Sequence, residues 1–542
     1  MAVSHTPRAD LYNGIVQTWP PQNRDSNHAS SRSTSHNGAN GHNEESHSAA
    51  QTPGTPRFND EDDRLWRDDE LNRKIMENVE EYGITRPAGY KVSFHYNSQV
   101  EDMHFGKTHP MKPWRLTLTK HLVLGCGLQY AMDTFEAVSA TKEQVRAFHD
   151  PDYVDFLAEV SPGTFEELCK MPRFASHAPP KHDYDAVDLG PFNLSTSPGA
   201  DCPVFDGMSK YLFLYTGATL AATNQLTTNQ SDIAINWSGG LHHAHRAEAS
   251  GFCYINDIVL SIVDMLRVYP RVLYVDIDVH HGDGVEEAFQ RQPRVMTLSY
   301  HRYGPYDDTG HKFFPGTGDL TDVGLKGTVG EHFALNVPIP SGIDDRQYKY
   351  LYESITGRTI EAFKPSAIVL QCGADSLGGD RLGQFNINIK QHGECVSFVK
   401  NMGLPLLLLG GGGYTARNVA RAWCHETALA TDNVLPDNIP MDLVPRPEAF
   451  MGRAHGEGKM YPAFNRLHVN DCKDSDLEYM VKRLDNELAY VRRSPWVKTE
   501  QLPRNQAMDE IMSVVDEEMK PGEAERERRW RERNPAGRSE LR

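Results

Sequence analysis

The feature that most constrains the fold of this chain is an alternation, beyond about Tyr90, of short apolar runs with longer amphipathic stretches. The runs are rich in β-branched residues, and the stretches between them repeat apolar residues at helical spacing. This alternation is typical of a parallel sheet flanked by helices, so the sequence predicts a three-layer α/β domain. The clearest predicted strands are residues 233–237, 272–279, 295–299, 367–371 and 404–409.

Both ends of the chain fall outside this pattern. Residues 22–57 contain no Val, Ile, Leu, Met, Phe, Trp or Tyr, so they cannot offset their chain entropy by burial. The last stretch is dense in charge and lacks a sizeable apolar face. We therefore expect a mostly disordered N-terminal extension over residues 1–89, one large domain over residues 90–497 and a charged C-terminal tail over residues 498–542.

The bulk composition narrows the classes of partner. A net charge of −18 and a pI near 5.7 argue against direct binding to a nucleic-acid backbone and agree with a basic protein or peptide as substrate. The 8 cysteines include no Cys-x-x-Cys pair, which favours a reduced intracellular compartment. No apolar run approaches the ~18 residues of a membrane span, so we expect no membrane insertion.

Candidate metal ligands follow two of the predicted strands. In an open parallel sheet, ligands bind beyond the carboxyl ends of the strands. Asp276, Asp278 and His280 stand at i, i+2 and i+4, a spacing that in an extended chain directs all three side chains to one face. Asp375 follows the predicted strand at residues 367–371. Two aspartates and one histidine suit zinc and leave a coordination position open for water; the alternative is that these acids cap helices or satisfy loops.

Further polar and aromatic residues follow other predicted strands. His242 and His243 come after a Gly-Gly pair and suit a general base beside an orienting partner, and carboxylates such as Asp276 and Asp283 can fix their tautomers. Tyr414 follows four glycines and can donate a hydrogen bond to an oxyanion. Two short aromatic segments can form a slot for an aliphatic stem; they are residues 251–252 and 313–316.

Taken together, these residues resemble the class I (Rpd-like) zinc-dependent histone deacetylases, nearest the fungal branch and the corepressor-bound members. The resemblance runs over residues 92–491 and rests on specific segments in the same order. These are His-Pro-Met-Lys-Pro at 109–113, Asp-Cys-Pro-Val-Phe-Asp-Gly at 201–207, Gly-Gly-Leu-His-His at 239–243, Glu-Ala-Ser-Gly-Phe-Cys at 248–253, Asp-Ile-Asp-Val-His-His-Gly-Asp at 276–283, Phe-Pro-Gly-Thr-Gly-Asp at 314–319, Asp-Ser-Leu-Gly-Gly-Asp-Arg at 375–381, and residues 410–418.

The resemblance implies an arginase-like α/β fold and an activity. Residues 90–497 would be a deacetylase domain that hydrolyses Nε-acetyl-lysine in histone tails, and in other proteins as a second substrate class. The implied process is transcriptional repression within a corepressor complex. The implied location is the nucleus, with the cytoplasm as a second location. The acetylated histone tail and the corepressor subunits are the implied partners.

The resemblance also implies a role for each matched residue. The zinc ligands would be Asp278, His280 and Asp375. The catalytic set would comprise the base His243, its partner His242, the oxyanion donor Tyr414, and the carboxylates Asp276 and Asp283 behind the histidines. The residues matched to the lysine tunnel and its rim are Asp201, Gly251, Phe252, Phe314 and Leu382.

Two further ligands are implied by the same resemblance. Family members hold potassium at a position near the zinc, partly through backbone carbonyls, and the matching residues are Asp276, Asp278, His280, Ser299 and Tyr300. A second potassium position would involve Phe289, Val295 and Phe333. Corepressor-bound relatives hold an inositol phosphate, and its basic contacts match His104, Lys112, Arg381 and Arg417. The alternative is that these basic side chains are ordinary surface charges.

Some residues depart from the family pattern. Thr108 and Trp114 stand where relatives carry a glycine and often a histidine, and additional residues lengthen the segments 162–188 and 307–312 at the expected rim. Two other interpretations also stay open. One is a related enzyme acting on a small substrate, such as an acetylpolyamine deacetylase or a binuclear ureohydrolase. The other is a catalytically idle, partner-dependent scaffold that reads chromatin.

Overall fold

A single parallel sheet organises the part of the chain that the structure describes. This structure is a computed structural model, and it describes residues 69–179, 188–197, 199–305, 311–464 and 468–493. The sheet has eight strands in the order β2-β1-β3-β8-β7-β4-β5-β6, and every neighbouring pair is parallel. The strands are β1 Val92–Tyr96, β2 Asp133–Glu136, β3 Ile233–Asn236, β4 Val272–Asp276, β5 Val295–Arg302, β6 Ala334–Ile339, β7 Ala367–Gln371 and β8 Leu406–Leu409.

Parallel pairing requires a crossover between successive strands, and helices lie in most of these connections; within the described residues, the one from β5 to β6 has no helix. The helices are α1 Asp69–Tyr82, α2 Trp114–Gly125, α3 Lys142–Val145, α4 Pro151–Glu159, α5 Phe165–Lys170, α6 Pro172–Ala175, α7 Met208–Thr227, α8 Asp257–Met265, α9 Asp283–Phe289, α10 Asp345–Phe363, α11 Ile389–Lys400, α12 Ala416–Ala430 and α13 Asp474–Arg493. Short 3-10 helices lie at Ser98–Glu101, Leu128–Ala131, Pro191–Asn193, Ala374–Ser376, Met441–Leu443, Pro447–Ala449 and Arg453–His455.

Six of the eight strands are buried along their whole length. Every residue of β3, β4, β5, β6, β7 and β8 is buried, which explains why most of these segments are rich in apolar residues. Helices on either side complete the core, among them α12, whose Trp423 stacks on Trp237 with ring centroids 5.6 Å apart. The predicted α/β fold is thereby confirmed.

The N-terminal helix α1 lies within the segment 1–89, where the sequence predicts mostly disorder. Ile75 of this helix is buried, and its Val79 packs so closely on Gly127 that a Cβ there would come within 2.3 Å of Val79 Cγ2. The extension therefore holds at least one helix packed on the domain. The rest of the extension up to residue 68 and the tail from residue 494 lie outside the described residues.

Two further features bear on the sequence predictions. Each of the eight cysteines is a free thiol, and all but Cys169 are buried. Within the ranges described above, no helix combines the length and the apolar character needed to cross a bilayer.

Candidate active site

The loops that follow four adjacent strands meet at the carboxyl edge of the sheet. Strands β3, β8, β7 and β4 are consecutive neighbours, so the segments after them lie side by side. The loop after β3 carries the two histidines, that after β4 carries Asp278 and His280, that after β7 carries Asp375, and that after β8 carries Tyr414. The topology thus brings together residues that are far apart in the chain.

Three of these side chains form a compact cluster of potential metal ligands. One ligand atom each from Asp278, His280 and Asp375 lies within 4.8 Å of the others. His280 Nδ1 stands 3.1 Å from both Asp278 Oδ1 and Asp375 Oδ2. Both aspartates are fully buried, and His280 is 7% exposed. Among the described residues this is the one such cluster of three or more histidine, cysteine or acidic side chains.

The chemistry of this cluster fits a divalent cation. Burial, together with the negative charge of Asp278, raises the pKa of Asp375. Two carboxylates so close together in a buried place repel each other unless a positive charge lies between them. Nitrogen and oxygen ligands of this kind suit zinc, and three protein ligands leave a position for water or substrate.

Neighbouring groups hold the two carboxylates in place. The Gln371 side-chain amide and the Gly412 backbone N–H both donate to Asp278 Oδ2, at 2.9 and 2.8 Å. The Val279 backbone N–H donates to Asp375 Oδ1 at 2.9 Å. A Cβ at Gly412 would lie 2.0 Å from Asp375 Oδ2, so only glycine permits this approach of the backbone. These contacts fix the ligands before any metal binds.

The prediction that a strand directs the ligands to one face is wrong. Strand β4 ends at Asp276, and Asp278 and His280 lie in the bends beyond it. Each is instead held by the preceding acid: Asp276 Oδ1 accepts from the Asp278 N–H and Asp278 Oδ1 from the His280 N–H, both at 3.0 Å. Local side-chain to backbone bonds therefore replace strand periodicity as the cause of convergence.

The two histidines beside the cluster differ in charge. His242 Nδ1 lies 2.7 Å from Asp276 Oδ2, and His243 Nδ1 lies 2.7 Å from Asp283 Oδ1. Burial disfavours the charged form of His242, but the carboxylates of Asp276 and Asp278 outweigh it and raise its pKa to about 9. Burial and the neighbouring His242 cation lower the pKa of His243 to about 3. One imidazole can thus accept a proton while the other carries one.

Tyr414 faces the same space from the glycine-rich loop. Its ring meets that of Phe252 edge-on, with centroids 5.8 Å apart. Asp380 Oδ2 accepts from the Tyr414 backbone N–H at 2.7 Å, and the Arg115 guanidinium donates to the Gly411 and Gly413 carbonyls at 2.6 and 2.7 Å. Burial raises the pKa of Tyr414 well above its ordinary value, so the phenol stays a neutral donor.

A cavity of about 330 Å³ opens from these groups to the surface. Gly251, with φ +51°, lies in its wall, and a Cβ there would come within 2.5 Å of the His243 ring and 2.9 Å of the Phe314 ring. Glycine is therefore needed for Phe314 to approach the histidine. The residues that line the cavity are Asp201, His243, Gly251, Phe252, His280, His311, Lys312, Phe313, Phe314, Leu382 and Tyr414.

The predicted tunnel and rim residues are all among this lining. Phe314 is 41% exposed at the mouth, and its ring meets that of His243 edge-on at 5.0 Å. The exposed Asp201 accepts from the Gly251 backbone N–H through Oδ2 at 2.8 Å. The rim segments predicted to be lengthened are described only in part, because residues 180–187 and 306–310 lie outside the described ranges.

The residues matched to potassium lie around strand β5. Ser299 pairs with Asp276 across β4 and β5, and Tyr300 follows it on the same strand. Phe289 ends α9, Val295 begins β5, and Phe333 precedes β6, where its carbonyl accepts from the Thr297 N–H at 3.1 Å. The structure gathers each set in one region, and their role in binding potassium stays a prediction.

Three of the four residues matched to an inositol phosphate lie near one another. Lys112 Nζ donates to the Gly106 and Lys107 carbonyls at 2.8 and 2.9 Å. Partial burial and the positive charge of Arg381 lower the pKa of Lys112, and Lys112 in turn contributes to the lowered pKa of His104, after burial. Arg417 lies in the first turn of α12 and is half-buried.

Three residues that support the site had no role predicted from the sequence. Gln371 is the last residue of β7, Asp380 lies in the segment 375–381, and Arg115 follows the segment 109–113. A polar residue at a strand end was the available signal for Gln371. Nothing local marks Arg115, because its partners are 296 and 298 residues away.

Comparison with known proteins agrees with this geometry. The family model for the histone deacetylase domain matches residues 109–430. Histone deacetylase 1 from Homo sapiens, and likewise that from Bos taurus and from Rattus norvegicus, is 42% identical to this chain over 421 residues, which cover 78% of this chain and 80% of the relative. The chain therefore belongs to the histone deacetylase family, in its class I branch, whose members are hydrolases that remove the acetyl group from acetyl-lysine.

Proposed function

We propose that Asp278, His280 and Asp375 hold a catalytic zinc ion and that the groups around it hydrolyse Nε-acetyl-lysine in histone tails. The observation that carries this proposal is the buried ligand cluster at the inner end of an aromatic-walled cavity, beside one protonated histidine and one neutral histidine. Zinc bound there supplies a Lewis acid that polarises the amide carbonyl and favours ionisation of water.

Different side chains then carry out the separate proton transfers of the reaction. The neutral imidazole of His243 accepts the proton of the attacking water through Nε2, while its Nδ1 is held by Asp283. The Tyr414 hydroxyl donates to the oxygen that gains negative charge as the carbonyl carbon becomes tetrahedral. His242, a cation beside Asp276, stabilises that charge and gives a proton to the departing lysine amine. The carbon–nitrogen bond breaks, and acetate and lysine leave.

The shape of the cavity supports acetyl-lysine as the substrate. A lysine side chain needs a narrow apolar passage for its methylenes and a polar end for its amide. Phe252 and Phe314 supply the apolar walls, Gly251 keeps the passage narrow, and Leu382 lies on the same lining. Asp201 at the rim is an acceptor for backbone N–H groups of a bound peptide.

The finer assignments of cofactors and setting belong to the same proposal. Potassium bound near Asp276, Ser299 and Tyr300 would stabilise the loop that carries the zinc ligands, and the patch of His104, Lys112, Arg381 and Arg417 would bind an inositol phosphate shared with a corepressor subunit. The proposed setting is a repressor complex in the nucleus, with the cytoplasm as a second location. The catalytic domain would span residues 90–497, between the N-terminal extension and the charged tail.

A substrate comparison on the purified full chain tests this proposal. We expect hydrolysis of acetyl-lysine in histone-tail peptides, loss of activity with a zinc chelator, and recovery on adding zinc. Acetylated polyamines serve as the small substrates for comparison in the same assay. Faster turnover of an acetylpolyamine than of the peptides would favour a small-substrate deacetylase. No turnover of either class, with and without added corepressor and inositol phosphate, would favour a scaffold.

A further inference from the structure

A second histidine lies behind the pair formed by His243 and Asp283. His245 Nε2 stands 3.8 Å from Asp283 Oδ2, and His245 Nδ1 stands 2.6 Å from Glu287 Oε2. Since His243 contacts Oδ1 of the same aspartate, the four side chains form one line: His243, Asp283, His245 and Glu287. The line runs from the cavity, where His243 is 4% exposed at its side chain, to Glu287, which is 31% exposed.

Both ring nitrogens of His245 face a carboxylate: Nδ1 stands within hydrogen-bond distance of Glu287, and Nε2 lies at ion-pair distance from Asp283. A neutral ring has only one N–H, whereas a protonated ring presents an N–H to each carboxylate. Burial disfavours this charge, but Glu287 and Asp283 outweigh it and raise the pKa of His245 to about 9. The ring therefore stays charged at neutral pH.

We propose that His245 is a positioning residue for deacetylation: as a cation held by Glu287, it keeps the Asp283 carboxylate oriented and ionised behind His243. This inference rests on the proposed function, because it assigns His245 no contact with substrate. Asp283 Oδ1 faces His243 and accepts from the Gly284 N–H at 2.9 Å, while Oδ2 faces His245. Without the cation, Oδ2 loses the charge that faces it, and the carboxylate is held less firmly behind His243.

The test compares His245→Gln, which removes the charge, with His245→Lys, which keeps one. We expect His245→Gln to lower kcat on an acetyl-lysine histone peptide by about 10-fold, as outer hydrogen-bond partners in such sites do, with KM changed less than about 2-fold. His245→Lys should recover most of the loss. A purely structural histidine would not be rescued by the longer, differently shaped lysine.

A double-mutant cycle shows whether His245 acts through Asp283. In an Asp283→Asn background, adding His245→Gln should cause no further loss of kcat. His332→Gln is the matched control, because His332 Nδ1 pairs with Glu487 at 2.6 Å on the distant helix α13 and should leave kcat unchanged. Glu287→Gln changes the exposed end of the same line and should also lower kcat. This variant tests the inference even if His245→Gln does not fold.

Three results would overturn the inference: full kcat in both His245→Gln and Glu287→Gln, failure of His245→Lys to restore kcat in a folded protein, or additive losses in the cycle. Failure of the proposed function has a different signature. In that case the unmutated chain does not turn over the peptide, or Asp283→Asn by itself leaves kcat unchanged.

Discussion

The inner end of the active-site cavity and its rim are built in different ways. At the inner end, Asp278, His280, Asp375, His242 and His243 are all buried, and each has a polar partner within the protein. At the rim, Asp201 and Phe314 are exposed.

This difference separates chemistry from selectivity. A buried group with fixed partners loses a great deal when one atom is removed, because nothing else can take its place. An exposed rim side chain contributes mainly contact area, and solvent replaces much of what it provides. We therefore expect substitutions at the inner end to change kcat and substitutions at the rim to change KM.

The largest effect among these side chains is expected at the general base. His243→Ala should lower kcat by about 10²- to 10⁴-fold, because proton transfer by a positioned side chain accounts for rate factors of that size. Steady-state kinetics on an acetyl-lysine histone peptide measure it, with His332→Ala as control. A His243→Ala protein within a few-fold of full activity would mean that the inner end is not where the proton is taken.

Removal of the Tyr414 hydroxyl comes next. Tyr414→Phe should lower kcat by about 10²- to 10³-fold with little change in KM, since the donor acts only on the charge that develops during reaction. Tyr352→Phe is a matched control, because that phenol donates to the Cys395 carbonyl at 3.1 Å, away from the cavity. Equal kcat in the two variants would exclude Tyr414 from the oxyanion role.

A smaller effect on kcat is expected at Asp276, the carboxylate that pairs with His242. Asp276→Asn leaves the shape of the side chain but removes the charge that His242 and the Tyr274 hydroxyl both contact, at 2.7 and 2.6 Å. We expect kcat to fall by about 10- to 100-fold, as for other outer-shell partners. If Asp276→Asn leaves kcat intact, the charge on His242 is not needed.

The rim should respond differently. Phe314→Ala removes a ring that is 41% exposed, so we expect a loss of about 1 kcal/mol of binding, seen as a KM raised about 5-fold. The value of kcat should change less than KM, because the Phe314 ring meets the His243 ring only edge-on and takes no part in its hydrogen bond with Asp283. Val329→Ala, at a residue 73% exposed elsewhere, is the control. A kcat that falls more than KM rises would erase the proposed distinction between the two regions.

The smallest basal effect is expected at the basic patch. The double variant Lys112→Ala, Arg381→Ala should keep full activity without added ligand, since neither residue lines the cavity. It should lose any stimulation by an inositol phosphate, measured as activity against ligand concentration in the presence of a corepressor. Undiminished stimulation would remove these residues from the proposed binding site.

Strands with a strong apolar pattern were predictable from the sequence. Strand β7 was predicted with its observed bounds, and β3, β4, β5 and β8 were predicted with shifted ends. The edge strand β2 was not found, because its sequence Asp-Thr-Phe-Glu is only partly buried and carries no alternation. β1 and β6 were missed as well; β6 is the other edge strand, and its Pro338 weakens the strand pattern although every residue in it is buried.

The same division holds for the site. Residues placed directly after apolar runs, such as Asp375 and Tyr414, stand out because the topology of parallel sheets gives that position meaning. Residues such as Arg115 act through contacts with distant backbone carbonyls, which only the folded chain brings near. The individual roles were implied by the resemblance to a family. Asp278 and His280 are positioned by hydrogen bonds in the bends beyond β4, and strand periodicity does not account for them.

The central claim is that Asp278, His280 and Asp375 together hold one zinc ion on which turnover depends. The most direct measurement is the zinc content of the purified chain and of an Asp375→Asn variant, taken together with their kcat on an acetyl-lysine peptide. We predict one zinc per chain in the unmutated protein, and loss of both bound zinc and turnover in the variant. Full turnover after complete removal of zinc, or an Asp375→Asn protein that keeps its zinc and its kcat, would contradict the account.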